Sequence, residues 1–155
     1  MALLHAFGRS LSITLMAAAL ALLHHRVTTT VFSGLGGVAR RLPIALLGLI
    51  LGGMALAGFP MTAGFPTHWA IARAASSDRW LWALILIASS SGIMIGVLRG
   101  LHSTLGSDPR DDIARQPVVA SLMVLALACL VIVLGLHPQL FLQPIGKAVE
   151  AFSFF

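Results

Sequence analysis

The stretch Gly58-Phe59-Pro60-Met61-Thr62-Ala63-Gly64-Phe65-Pro66 lies in the middle of an apolar segment, 42–72, that contains no Asp, Glu, Lys or Arg. One continuous helix over this segment would be about 46 Å long, whereas the hydrocarbon core of a bilayer is about 30 Å thick. Proline removes a backbone donor and clashes with the preceding helical turn, so the helix should break at this stretch. We therefore predict one discontinuous membrane span over about 42–75, broken at 58–66.

The break-forming residues are two glycines and two prolines: Gly58, Pro60, Gly64 and Pro66. Inside a membrane, irregular backbone is tolerated only where protein or a wet cavity covers it. Such breaks mark ion paths in transporters. Alternatively, the span ends near Phe59 and a re-entrant or interfacial segment follows.

The composition excludes a soluble domain and indicates an integral membrane protein. Hydrophobic residues make up 58% of the chain and charged residues 10%, with a mean hydropathy of +0.97; a soluble domain carries about 25% charged residues. Three further apolar runs predict spans at about 2–23, 80–99 and 117–137. We expect one all-α membrane domain, 1–155, with four transmembrane helices. The first run also resembles a signal peptide, and we interpret it as a span.

Basic residues in the connections predict the orientation of the chain. Six of them lie in or directly beside two connections, at positions 26, 40, 41, 99, 110 and 115. This distribution places the connections 24–41 and 100–116 in the cytoplasm and both termini on the outer side. Within the second connection, Asp108-Pro109-Arg110-Asp111 is typical of a helix start, so we expect a short surface helix at about 109–115.

Three ionisable residues within the predicted spans are candidates for a proton path: His5, Arg9 and His68. His5 and Arg9 are four apart and share a helix face. Buried Arg needs a partner or water, and no acid lies within a predicted span, so we expect another chain to supply an acidic partner; snorkelling to the surface is the alternative. His68 follows the break and titrates near physiological pH. A hydrogen-bonded core histidine is the simpler interpretation.

Small residues spaced four apart predict close helix packing. They are the glycines at positions Gly48, Gly52, Gly92, Gly96 and Gly100. Packing within this chain and packing against other subunits both fit this pattern. We expect the mid-span serines Ser89, Ser90 and Ser91 to bond back to their own helix.

Several classes of function lack support in the sequence. The arginines sit mostly at the ends of apolar runs, which favours topology over nucleic-acid binding. Cys129 stands alone in an apolar run, and His24-His25 have no carboxylate or Cys nearby, so we expect no metal site. We expect no cofactor and no redox site in this chain.

Four stretches, in order along the chain, resemble the antiporter-like subunits of respiratory complex I and the related multi-subunit cation–proton antiporters. They are His5-Ala6-Phe7-Gly8-Arg9, Gly34-Leu35-Gly36-Gly37-Val38-Ala39-Arg40-Arg41-Leu42-Pro43, Met54-Ala55-Leu56-Ala57-Gly58-Phe59-Pro60-Met61-Thr62-Ala63-Gly64-Phe65 and Leu134-Gly135-Leu136-His137-Pro138-Gln139. The resemblance covers about residues 3–145 and only the last four helices of the family's fourteen.

The resemblance implies a small subunit that contributes to or completes a proton-translocation path in a larger membrane complex. At most the chain would be part of a quinone oxidoreductase-type enzyme, in a bacterial plasma membrane or, alternatively, the mitochondrial inner membrane. The family has Lys where this chain has Arg9 and His68. Deprotonating Arg at neutral pH costs about 7.5 kcal/mol, so Arg9 can hold charge but cannot easily cycle a proton. The alternative is a non-translocating structural or assembly subunit of the same descent.

Overall fold

The computed structural model describes residues 2–27, 34–106, 113, 116–140 and 143–144, without the side chains of residues 2 and 78. Over these ranges the chain forms helices and no strand. The helices are α1 (Ala2–His24), α2 (Val38–Arg41), α3 (Pro43–Leu56), α4 (Phe65–Asp78), α5 (Trp80–Thr104) and α6 (Val118–Leu136).

Among the described residues, three helices are long and apolar enough to cross a membrane: α1, α5 and α6. Lipid offers no partner to backbone polar groups, so apolar runs of this length must satisfy their hydrogen bonds within a helix. The chain is therefore an all-α integral membrane protein. Helix α3 is apolar but has only 14 residues, about 21 Å, so the fourth crossing stays a prediction.

Helix α3 is the centre of the fold, because α1, α5 and α6 all pack against it. Its glycines permit this approach: a Cβ on Gly48 would lie 2.8 Å from the Ala19 Cβ of α1 and 2.6 Å from the Val124 side chain of α6, and a Cβ on Gly52 would lie 3.0 Å from the Met16 Cβ. The order of these contacts makes α1 antiparallel to α3. Apolar side chains between α1, α3 and α6 form the buried core.

Helix α5 packs on the rest of the chain much less closely. Its most apolar window contains no buried residue, and a Cβ on Gly92 or Gly96 would meet nothing within 4 Å. Gly53 of α3 packs instead against the Val97 side chain. This face of α5 is therefore open to lipid or to other chains.

A Schellman motif at Gly58 ends helix α3. Gly58 has a φ of 73°, its N–H donates to the Ala55 carbonyl at 3.2 Å, and the Phe59 N–H donates to the Met54 carbonyl at 2.9 Å. This pair of bonds satisfies the last carbonyls of a helix and needs a left-handed residue, which is usually glycine. The helix thus ends before Pro60 is reached.

Pro66 lies inside helix α4 and not in the irregular segment, which corrects the expected position of this residue. Gly64 is the N-cap and Pro66 belongs to the first turn, where a missing N–H costs no helical hydrogen bond. Between the helices, the Thr62 hydroxyl donates to the Phe59 carbonyl at 2.7 Å and the Phe65 N–H donates to the Thr62 carbonyl at 3.0 Å. The segment 57–64 thus satisfies part of its own backbone.

The other helix bounds differ modestly from those expected. Helix α5 continues to Thr104 instead of stopping near 99, since Gly100 is tolerated within a helix and no proline lies between 80 and 106. Helix α6 begins at Val118 with Pro117 as its N-cap. The connection 24–41 contains α2, a four-residue helix that the sequence did not predict. Of the surface helix expected at about 109–115, only residue 113 is described, so this helix stays a prediction.

Candidate functional site

The N-terminal part of α1 lies against the segment between α3 and α4. A Cβ on Gly8 would lie 2.9 Å from the carbonyl oxygen of Ala63, so the two backbones are in close contact. One turn away, His5 Nδ1 lies 3.2 Å from the Thr67 hydroxyl. That hydroxyl donates to the Gly64 carbonyl at 3.3 Å, which leaves its oxygen to accept a hydrogen bond from His5 Nδ1–H.

His68 is half-buried and bonds in the other direction, toward α5. Its Nε2 lies 3.0 Å from the Ser90 hydroxyl. Ser90 donates to the Leu86 carbonyl at 3.0 Å, so it accepts the hydrogen bond from His68 Nε2–H. The ring also packs over Gly58, where a Cβ would collide with it. The glycine that ends α3 therefore also makes room for the histidine.

The first turn of α4 brings the two histidines into one site. Thr67 and His68 are adjacent residues, and they connect α4 to His5 of α1 and to Ser90 of α5 respectively. Histidines and hydroxyls are groups that can accept and pass protons. Thr67 is 4% exposed and was not identified from the sequence as a site residue. Its position beside His68, at the start of a helix, was the one signal that could have identified it.

Arg9 lies one turn beyond His5 and is exposed. It lines a cleft of about 670 Å³ between α1 and α5. Leu46, Leu49 and Ile50 of α3 form the base of this cleft. Most of the lining is apolar. Arg9 thus presents a positive charge to an apolar cleft that is open to neighbouring molecules.

The three serines in the middle of α5 bond back to their own helix, which confirms the prediction. Ser89 donates to the Ile85 carbonyl at 2.8 Å and Ser91 to the Ile87 carbonyl at 2.8 Å. Only Ser90, of these three, also meets a group on another helix. The local bond fixes the rotamer of Ser90 and so orients its oxygen toward His68.

The chain is an all-helical membrane protein in which two histidines lie beside the segment between α3 and α4. Residues 1–96 match the family model described as NADH:quinone oxidoreductase/Mrp antiporter, TM. The match covers more than half of the chain, and the chain belongs to this family.

The NADH-quinone oxidoreductase subunit N of Acinetobacter baumannii (strain AB0057) is a similar protein. It is 35% identical over 109 residues, which cover 66% of this chain and 22% of that protein. The chain therefore spans about a fifth of the length of this curated relative. No solved structure matches the chain. The predicted resemblance to the antiporter-like subunits of complex I is confirmed by the family match and by this relative.

Proposed function

We propose that the chain is a small membrane subunit of a complex I-like or antiporter-like assembly and that it contributes to, or completes, a proton-translocation path. The observation that carries this proposal is the pair of hydrogen bonds His5–Thr67 and His68–Ser90 on adjacent residues of one helix turn. The two bonds connect α1, α4 and α5 at the irregular segment. In this proposal His68 passes the proton, and His5 and Arg9 supply polar and positive groups along the path.

The proposed membrane arrangement has four crossings within one domain. Helices α3 and α4, with the segment between them, form the second and discontinuous crossing over about 42–75. The antiparallel packing of α1 on α3, seen in the contacts of Gly48 and Gly52, supports alternating directions for the first two crossings. Both termini would lie outside, with 24–41 and 100–116 in the cytoplasm of a bacterium.

The proposed partner is another membrane subunit that places a carboxylate beside Arg9. A guanidinium facing hydrocarbon costs at least about 2.5 kcal/mol, and an acidic partner would remove most of that cost. The cleft between α1 and α5 gives such a side chain access to Arg9.

The test is His68→Gln in the intact assembly. Glutamine can still donate a hydrogen bond to Ser90 but cannot carry a proton. Proton translocation in proteoliposomes should fall by tenfold or more, since positioned proton-transfer groups contribute about 100-fold or more. The amount of assembly recovered should stay the same. His68→Lys, which keeps a titratable amine, should retain more activity than His68→Gln.

His137→Gln is the matched control, because His137 is exposed at the end of α6 and the proposal gives it no role. Its proton translocation should equal that of the wild type. If His68→Gln also translocates protons normally, His68 is a structural residue. The chain would then be a non-translocating structural or assembly subunit. The presence of arginine at position 9 supports this alternative, because arginine does not readily release its proton at neutral pH.

A further inference from the structure

A second polar site lies at the opposite end of α3, away from the histidines. A pocket of about 590 Å³ opens between α2, the start of α3 and the start of α6. Polar lining comes from Arg40, Arg41, Gln116 and Ser121. This pocket plays no part in the proposed proton path.

Two buried hydrogen-bond donors in the pocket have no partner among the described residues. The Gln116 carbonyl oxygen Oε1 accepts from the Ile44 N–H at 3.4 Å, which fixes the orientation of the amide. Its Nε2 is then left buried and unbonded, as is the Ser121 hydroxyl. Ser121 is 6% exposed. Ser12, by contrast, donates to the carbonyl four residues earlier, so the unbonded state of Ser121 is not a general property of serine here.

Buried donors without acceptors are destabilising, so two in one pocket indicate a missing acceptor. Both Gln116 Nε2 and Ser121 Oγ can donate to the same kind of group, an oxygen anion. Ser121 lies in the first turn of α6, and Gln116 lies two residues before that helix begins.

The helix ends reinforce the preference for an anion. Helices α3 and α6 both begin at this pocket. Neither N-cap residue has a side-chain hydrogen bond to its helix, and neither first turn has an acidic residue; on α3, the Ile44 N–H is already bonded to Gln116 Oε1. A helix N-terminus carries a partial positive charge and free N–H groups that bind phosphate oxygens. Arg40 adds a full positive charge at the rim, where it is exposed.

The rest of the pocket is apolar and faces outward. Val118 and Leu122 of α6 are 72% and 59% exposed and line the pocket with Leu125. Because the apolar runs of α3 and α6 both begin here, the polar end lies at the level of the membrane surface, and the apolar side chains extend from it into the hydrocarbon.

We propose that this pocket binds the phosphate headgroup of an anionic phospholipid, with an acyl chain lying along Val118 and Leu122 of α6. The Gln116 amide, the Ser121 hydroxyl and Arg40 donate to the phosphate oxygens. Basic pockets between transmembrane helices recognise headgroups in this way. The lipid would join α2, α3 and α6 and is independent of any role of the chain in proton translocation.

The test is native mass spectrometry of the delipidated full-length chain, titrated with dioleoylphosphatidylglycerol and separately with dioleoylphosphatidylcholine. We expect the anionic lipid to bind at least tenfold more tightly. Gln116→Glu keeps the oxygen that accepts from Ile44 but replaces the amide donor with a negative charge, and should weaken binding of the anionic lipid by tenfold or more. Arg40→Gln should weaken it as well, whereas the matched control Arg99→Gln, an exposed arginine outside the pocket, should not.

Ser121→Ala provides a readout that separates binding from folding. Without lipid this variant should be as stable as the wild type or more stable, because the unbonded hydroxyl is gone, yet it should bind the anionic lipid more weakly. A loss of stability without lipid would overturn the assignment. Equal affinity for the two lipids would overturn it too, as would equal effects of Arg40→Gln and Arg99→Gln. If inorganic phosphate, titrated in the same way, binds as tightly as the anionic lipid does, the pocket is a site for free anions and the lipid assignment is wrong.

Discussion

Gly64→Ala is expected to lower the free energy of unfolding by about 3 kcal/mol, at the upper end of what overpacking costs. A Cβ at this position would collide with the carbonyl oxygen of Ala55, which is held in the backbone of α3. Gly64 has a φ of −75°, which alanine adopts freely, so the whole effect comes from the contact. Separation of α4 from α3 would also displace Thr67 and His68.

The measurement is unfolding of the full-length chain in detergent micelles by titration with a denaturing detergent. Tryptophan fluorescence is a suitable signal, because Trp69 lies on α4 and Trp80 and Trp82 lie on α5. Gly92→Ala is the matched control: nothing lies within 4 Å of its Cβ, and it should stabilise α5 by about 0.5–1 kcal/mol. Equal effects of the two variants would refute the proposed contact.

Arg9→Leu is expected to weaken association with the neighbouring subunit by at least about a hundredfold, so that much less of that subunit is recovered with the chain. If another chain places a carboxylate beside Arg9, the leucine leaves that carboxylate unpaired in the membrane, and breaking a buried ion pair costs about 3–5 kcal/mol. Arg9→Lys should retain assembly, since it keeps the charge. The measurement is the amount of partner that copurifies with the tagged chain.

Arg99→Leu serves as the control, because Arg99 is exposed near the end of α5 and lies outside the cleft that Arg9 lines. It should copurify with normal amounts of partner. If Arg9→Leu assembles as well as the wild type does, Arg9 has no acidic partner in the membrane and extends to the lipid surface instead. An Asp→Arg or Glu→Arg change in the partner that restores assembly with Arg9→Glu would identify the paired residue.

The long helices could be predicted closely from the sequence. The starts and ends of α1 and α6 fall within one residue of the expected spans. The physical reason is that a run of about 20 apolar residues has few alternatives in a bilayer. The end of α3 was harder, because the prediction rested on Pro60 and Pro66. The structure ends the helix at Gly58, since a left-handed residue satisfies the last carbonyls before proline can act.

The candidate site could be predicted only in part. His5, Arg9 and His68 were identifiable because ionisable residues are rare in apolar runs. Thr67 and Ser90 were not identified as their partners, because His5 and Thr67 are 62 positions apart and His68 and Ser90 are 22 apart. Hydrogen bonds across such separations depend on how helices pack, and hydropathy carries no information about that.

The sequence by itself determined that this is an all-α membrane chain, which segments are helical and which ionisable groups lie among them, because these properties follow from local composition and from the cost of polar groups in lipid. Only the tertiary structure decided which helices meet. The close approach of α1 to Ala63, the room that Gly58 leaves for His68 and the pocket at Gln116 and Ser121 all depend on contacts between helices distant in sequence. Such contacts are set by the shapes of facing side chains, which no single segment encodes.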